Sequence, residues 1–159
     1  YQETLASAVK IEGGEDKADI IKHLTSNAIA VMGHIGLMPQ YVRSEGGYKV
    51  RGKTLEDEEQ LIRDAIAVEE AGAFAIVIEG VKSDVAKKIT EAVNIPTIGI
   101  GAGNETDGQV WSDMLGFFED FKPKFVRHYL NGAKLVKEAL NSYRDDVQTQ
   151  NFPSKEEEY

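Results

Sequence analysis

Ala73-Phe74-Ala75-Ile76-Val77-Ile78-Glu79-Gly80 is a short apolar run that ends on a carboxylate and then a glycine. Rich in Ile and Val and closed by glycine, it reads as a strand buried on both faces. Outward from it the pattern recurs three times. Ala6-Ser7-Ala8-Val9-Lys10-Ile11-Glu12 closes at Gly13-Gly14, and Ala28-Ile29-Ala30-Val31-Met32-Gly33-His34 closes at Ile35-Gly36. Ile95-Pro96-Thr97-Ile98-Gly99-Ile100-Gly101 closes at Ala102-Gly103. Helical patterns lie between these runs. Ala18, Ile21 and Leu24 keep 3/4 spacing over residues 15–26. Leu61, Ile62, Ala65, Val68 and Ala71 do so over residues 55–71, with Thr54 as N-cap and Asp57 three residues on. Val85, Ala86, Ile89 and Val93 form a third helix after Ser83. Strand and helix in alternation predict an α/β domain with a parallel sheet.

Two stretches break the rhythm. Gly36 to Lys53 is a long loop with Pro39, Gly46, Gly47 and Gly52, longer than a connector needs. Gln109-Val110-Trp111 reads as a truncated fifth strand, and residues 125–147 as a helix carrying Phe125, Val126, Leu130, Ala133, Leu135 and Val136. His23 and His128 fall on predicted helices, as surface or packing residues. Glu56, Asp57, Glu58 and Glu59 open a helix and read as partners of its dipole. Residues 151–159 read as a flexible tail.

Composition narrows the function classes. The chain has 159 residues, a length that suits one domain, and no cysteine. A disulfide framework, a thiolate nucleophile and a zinc ribbon are therefore excluded. With 18 Lys and Arg against 27 Asp and Glu, the net charge of −9 argues against nucleic acid or an anionic membrane as the main partner. No apolar run approaches the ~20 residues that span a bilayer, and Tyr1-Gln2-Glu3-Thr4 lacks the features of a signal peptide. The expected location is cytoplasmic.

The chemistry concentrates where strands end. Strand one closes on Lys10-Ile11-Glu12, strand two on His34 and strand three on Glu79. Residues i and i+2 share a strand face, so Lys10 and Glu12 point together. In parallel α/β proteins the site gathers at the carboxyl ends of the strands. Charged groups among Val and Ile are costly unless paired, metal-bound or solvated in a cleft. Structural roles also fit: an ion pair of Lys10 with Glu12, a salt bridge from Glu79 to a loop lysine, or a hydrogen-bonded His34. Gly99-Ile100-Gly101-Ala102-Gly103 matches neither a Walker A loop nor the dinucleotide fingerprint. Its glycines suit close approach of the backbone to a ligand or a neighbouring strand.

Six ordered motifs carry a resemblance. They are Val9-Lys10-Ile11-Glu12-Gly13-Gly14, Val31-Met32-Gly33-His34-Ile35-Gly36-Leu37, Gly46-Gly47-Tyr48-Lys49-Val50, Glu79-Gly80-Val81, Ile95 to Gly103, and Asp113-Met114-Leu115-Gly116. Together, over residues 6–130, they resemble the ketopantoate (3-methyl-2-oxobutanoate) hydroxymethyltransferase family. The resemblance implies a (β/α)8 TIM barrel of the phosphoenolpyruvate/pyruvate type, with Mg²⁺ and 5,10-methylenetetrahydrofolate. The implied reaction adds a hydroxymethyl group to 3-methyl-2-oxobutanoate through a Mg²⁺-stabilised enolate, giving 2-dehydropantoate for pantothenate biosynthesis. By motif position, Lys10 matches the lysine that binds the keto acid, Glu12 a carboxylate of the metal site and Glu79 the general base. His34 resembles a histidine near the substrate. The family also implies a ring-like homo-oligomer, a decamer, with the helix around Tyr129 to Tyr143 as packing surface.

The family's metal site draws two further aspartates, and its substrate a serine, from strands with no counterpart before Ala6. A (β/α)8 barrel takes about 250 residues, so this sequence reads as its last five strands, with Tyr1-Gln2 as an upstream remnant. Val110-Trp111 joins where family members have a slightly longer strand. Other readings are a second Mg²⁺-dependent carbon–carbon lyase of the same barrel superfamily, and an inactive fragment that pairs or scaffolds.

Overall fold

In the computed structural model, which describes residues 3–41, 43, 46–120 and 123–157, five strands form one sheet in the order β1-β2-β3-β4-β5. They are β1 (Val9–Glu12), β2 (Val31–Gly36), β3 (Ala75–Glu79), β4 (Thr97–Ile100) and β5 (Gly108–Gln109), all paired in parallel. Tyr1-Gln2 and the last two residues of the expected tail lie outside the described residues. Helices α1 (Ala18–Ser26), α2 (Leu55–Glu70) and α3 (Ser83–Ala92) alternate with the first four strands, and α4 (Gly132–Gln148) follows β5. The expected α/β architecture holds. Spatial order equal to chain order, without the reversal of a doubly wound sheet, is that of consecutive strands in a (β/α)8 barrel. The chain divides into two compact units, Tyr1–Val110 and Trp111–Tyr159.

In the first unit the register separates two sheet faces. Val31, Ile35, Ile76 and Ile78 point to the helices and share one core with Ile21 of α1, Leu61, Ala65 and Val68 of α2, and Val85, Ala86 and Ile89 of α3. Each buried Ile or Leu side chain contributes about 1.5–3 kcal/mol. Gly33 lies on this face because a Cβ there would run into Val68. The opposite face carries Lys10, Glu12, His34, Val77 and Glu79.

Several element boundaries differ from the sequence reading. β2 starts at Val31 instead of Ala28, because Ala28 takes φ +61 and closes the turn after α1. There the Ile29 amide donates to Leu24 O at 3.1 Å. The helix expected over 15–26 begins with a 3-10 turn at Glu15–Lys17. Thr54 caps α2 as expected, accepting from the Asp57 amide at 3.2 Å. β5 is Gly108–Gln109 and leaves out Trp111; the link from β4 holds no helix. It is held by Asp107, whose Oδ2 accepts from the Thr97 amide at 2.9 Å and from Thr97 Oγ1 at 3.0 Å.

In the second unit, the helix expected over 125–147 begins only at Gly132. The Tyr129 and Leu130 amides donate to Met114 O at 2.8 and 3.2 Å, which pins the preceding apolar stretch as a loop. His128 therefore lies in a loop and not on a helix. Asn131 Oδ1 accepts from the Lys134 amide and caps α4. After α4, the Asn151 amide donates to Asp146 O at 2.8 Å, and the Phe152 ring meets Tyr143 at 5.5 Å between centroids. No helix among the described residues is long and apolar enough to cross a membrane.

Candidate active site

The four side chains singled out by strand-end position meet on one face of the sheet. Pairing of β1 with β2 sets Glu12 beside His34, and pairing of β2 with β3 sets Gly36 beside Glu79. Lys10 Nζ lies 3.2 Å from His34 Nδ1 and 4.0 Å from Glu12 Oε1. His34 Nε2 lies 2.9 Å from the carbonyl oxygen of Leu37 and 3.3 Å from Glu79 Oε2. The Glu12 and His34 side chains are 4% and 1% exposed, those of Glu79 and Lys10 20% and 46%. Two buried groups thus support two that solvent and a ligand can reach.

The loop after β2 completes the cluster with backbone groups. Gly36, at φ +93, turns the chain where a Cβ would strike the carbonyl of Glu79, so the turn needs glycine. Beyond it the Leu37 amide donates to Glu79 O at 2.7 Å, and the Gln40 amide donates to Glu12 Oε2 at 3.1 Å. No buried side-chain nitrogen or oxygen among the described residues lacks a partner.

Arg51 ties down the far end of this loop. Its amide donates to Gly80 O at 2.8 Å, and its Nη1 donates to Gly36 O at 3.3 Å. Its Nε and Nη2 donate to Asp57 Oδ1 at 3.0 and 2.7 Å, while the Gly52 amide donates to Asp57 Oδ2. Burial pushes the Asp57 carboxyl up, but the Arg51 guanidinium and the Gly52 amide together hold it below its ordinary value. Asp57 was read as a partner of the α2 dipole; it also anchors the loop. Glu58 of the same acidic run forms an ion pair with Lys88 of α3.

The glycine segment 99–103 makes close approaches, as its composition suggests. A Cβ on Gly99 would meet Thr106 and Gln109, and one on Gly103 would meet Ser83. His23 sits on α1, away from the cluster, where its carbonyl accepts from Asn27 Nδ2 at 2.7 Å.

What Gln40, Leu37 and Arg51 contribute was not foreseen. Gln40 and Leu37 act through the backbone, which carries the same groups in any residue. Arg51 had a weak signal, a basic residue just ahead of the acidic opening of α2. For a metal, Glu12 offers a hard carboxylate donor, with Oε1 clear of the Gln40 amide that bonds Oε2. Among the described residues no group of three or more His, Asp and Glu could hold an ion. Of the residues described, Glu12 would offer a divalent cation a single carboxylate oxygen.

The model of a family described as ketopantoate hydroxymethyltransferase matches residues 1–155. The chain is 85% identical to a 3-methyl-2-oxobutanoate hydroxymethyltransferase of Aliarcobacter butzleri, over 100% of its own length and 60% of that protein's. It is 67% identical to the enzyme of that name from Sulfurimonas denitrificans, over 96% of the chain and 59% of the relative. It is 56% identical to one from Helicobacter pylori strain Shi470, over 100% and 60%. The chain thus spans about 60% of the length of these curated relatives.

Proposed function

Since the chain belongs to the ketopantoate hydroxymethyltransferase family, we propose that it carries part of a site transferring a hydroxymethyl group from 5,10-methylenetetrahydrofolate to 3-methyl-2-oxobutanoate. The observation that carries this reading is the convergence of Lys10, Glu12, His34 and Glu79 at the carboxyl ends of three adjacent parallel strands. The reaction needs a cation for a carboxylate, a base for a weakly acidic C–H, and a way to polarise a ketone. Lys10 supports the first and Glu79 the second, and Glu12 would serve the third as a metal ligand.

Lys10, the most exposed of the four, pairs with the carboxylate of the keto acid and holds C3 over the site. Glu79 takes the C3 proton on Oε2, and the C–H electron pair becomes the C2–C3 double bond of the enolate. Water adds to the methylene carbon of the folate, and both carbon–nitrogen bonds break, with their electron pairs and the water's protons going to the two nitrogens. C3 attacks the resulting formaldehyde carbonyl, whose oxygen takes a proton to become the hydroxyl. Glu12 would hold Mg²⁺ through Oε1, and the ion when bound supplies Lewis-acid polarisation of the ketone. Magnesium, the folate co-substrate, a homo-oligomer and a cytoplasmic location all belong to this proposal.

The test is deuterium exchange at C3 of 3-methyl-2-oxobutanoate, followed by proton NMR in the full chain. Glu79→Gln is expected to bind the keto acid and to lose exchange by about 100-fold or more. Exchange at the wild-type rate in that variant overturns the assignment of the base.

A further inference from the structure

His34 is completely buried in the centre of the cluster, and every polar atom of its ring already faces a protein group. Nδ1 lies 3.2 Å from the Lys10 ammonium, which has hydrogens to give and no lone pair, while Glu12 Oε1 stands at 4.0 Å, outside hydrogen-bond reach. Nε2 faces the Leu37 carbonyl and the Glu79 carboxylate, which offer lone pairs. These surroundings select one hydrogen arrangement: Nδ1 accepts and Nε2–H donates. The reverse tautomer would set an N–H against the ammonium and a lone pair against the carbonyl, leaving two buried mismatches.

We infer that His34 touches no substrate and is a positioning residue, held as the Nε2–H tautomer, that fixes Lys10 through Nδ1 and Glu79 through Nε2–H across one rigid ring. The sequence reading places His34 among the substrate-binding residues; this inference assigns it a positioning role instead. The ring spans the gap between the group that takes the carboxylate and the group that takes the proton, two sites a reacting molecule must meet at once. A planar ring has no internal torsion, so the spacing between its two contacts is fixed once strand pairing has placed Cα. The Leu37 carbonyl fixes the ring's rotation by accepting from Nε2–H at 2.9 Å, with Glu79 Oε2 beside the same N–H at 3.3 Å. The inference rests on the reading of Lys10 and Glu79 given above, and its test separates the two.

Two side chains each copy half of the ring. Asparagine can present an oxygen near the place of Nδ1, and glutamine an amide N–H near the place of Nε2. In the full chain, His34→Asn is expected to keep the KM for 3-methyl-2-oxobutanoate within about twofold and to slow C3 exchange about tenfold. His34→Gln is expected to raise that KM about tenfold and to keep exchange at saturating keto acid within about threefold. Losing one close polar contact to a charged partner has about this effect. His34→Ala should show both defects.

A long-range ¹H–¹⁵N spectrum of the wild-type chain supplies a readout independent of turnover. The ring signals that vanish in the His34 variants should show a protonated Nε2 and a bare Nδ1. A proton on Nδ1 overturns the inference, and so do Asn and Gln variants that change KM and exchange alike. If the wild-type chain shows no exchange at all, the functional reading fails while the spectrum still decides the tautomer.

Discussion

In the unit of residues 1–110, Ile21, Val31, Ile35, Leu61, Ile76, Ile78 and Ile89 are at most 1% exposed. In the unit of residues 111–159, Trp111, Phe118, Tyr129, Leu140 and Tyr143 are all more than half exposed, and among its described residues only Gly116 and Gly132 are buried. Both units contain a long amphipathic helix with a capping side chain, Thr54 for α2 and Asn131 for α4. Periodicity and caps make a helix in either setting. Burial depends on what packs against it, and α2 has the Val and Ile of β2 and β3 beside it while α4 has no such layer in its own unit. Most helical stability comes from packing an apolar face and not from propensity, so the two helices should respond differently to the same truncation.

The largest contrast lies in the sheet core. Ile76→Ala in β3 removes a wholly buried side chain between α2 and α3 and should cost about 2–5 kcal/mol. Urea denaturation followed by circular dichroism measures it. A loss below about 1 kcal/mol would mean that the core is less closely packed than the complete burial of Ile76 implies.

Next comes the anchor of the loop that frames the site. Asp57→Asn should cost about 1–3 kcal/mol, because it weakens three donors' acceptor and leaves Arg51 without its carboxylate. The pH dependence has a definite sign. The folded-state value of Asp57 is lowered, so the stabilisation is present above the ordinary carboxylate range near pH 4 and is lost as pH falls through the lowered value. Denaturation midpoints of wild type and Asp57→Asn should therefore converge on acidification and stay apart at neutral pH. A gap independent of pH would show that the ion pair is not what holds the loop.

This contrast also explains what could be read from the sequence. β3 was plain because Ile76, Val77 and Ile78 are apolar on consecutive positions, which only a strand covered on both faces tolerates. Ala28 to Ala30 is just as apolar yet is a connector, since the backbone of Ala28 must go left-handed to leave α1. Phe125 to Leu130 misled for a related reason: backbone bonds to Met114 hold it as a loop, and side-chain periodicity carries no record of them. At the site, Lys10, Glu12, His34 and Glu79 stood out as polar groups among Val and Ile. The Gln40 amide on Glu12 and the Leu37 carbonyl on His34 left no trace, because every residue type supplies them.

The caps give a smaller, matched pair. Thr54→Ala should cost about 1 kcal/mol through the lost acceptor for the Asp57 amide. Asn131→Ala removes the acceptor for the Lys134 amide and should lower the helical signal of α4 while leaving the sheet unit's unfolding midpoint in place. A shared shift of both transitions would show that the two units unfold as one.

The smallest expected effect is the most informative about α4. Leu140 is exposed, so truncating it to alanine removes little buried surface, and alanine is the better helix former. Leu140→Ala should therefore change stability by no more than about 0.5 kcal/mol in dilute solution, the opposite of Ile76→Ala. The same holds for Tyr143→Ala apart from its contact with Phe152. A loss near 2 kcal/mol at Leu140 would require the side chain to be covered in solution. If that loss grew with protein concentration, the covering surface would belong to another copy of the chain, because only association makes stability depend on concentration. A loss independent of concentration would place the cover within the chain itself. Denaturation of Leu140→Ala at two concentrations a hundredfold apart therefore tells whether the contrast between the units is a property of the molecule or only of its isolated state.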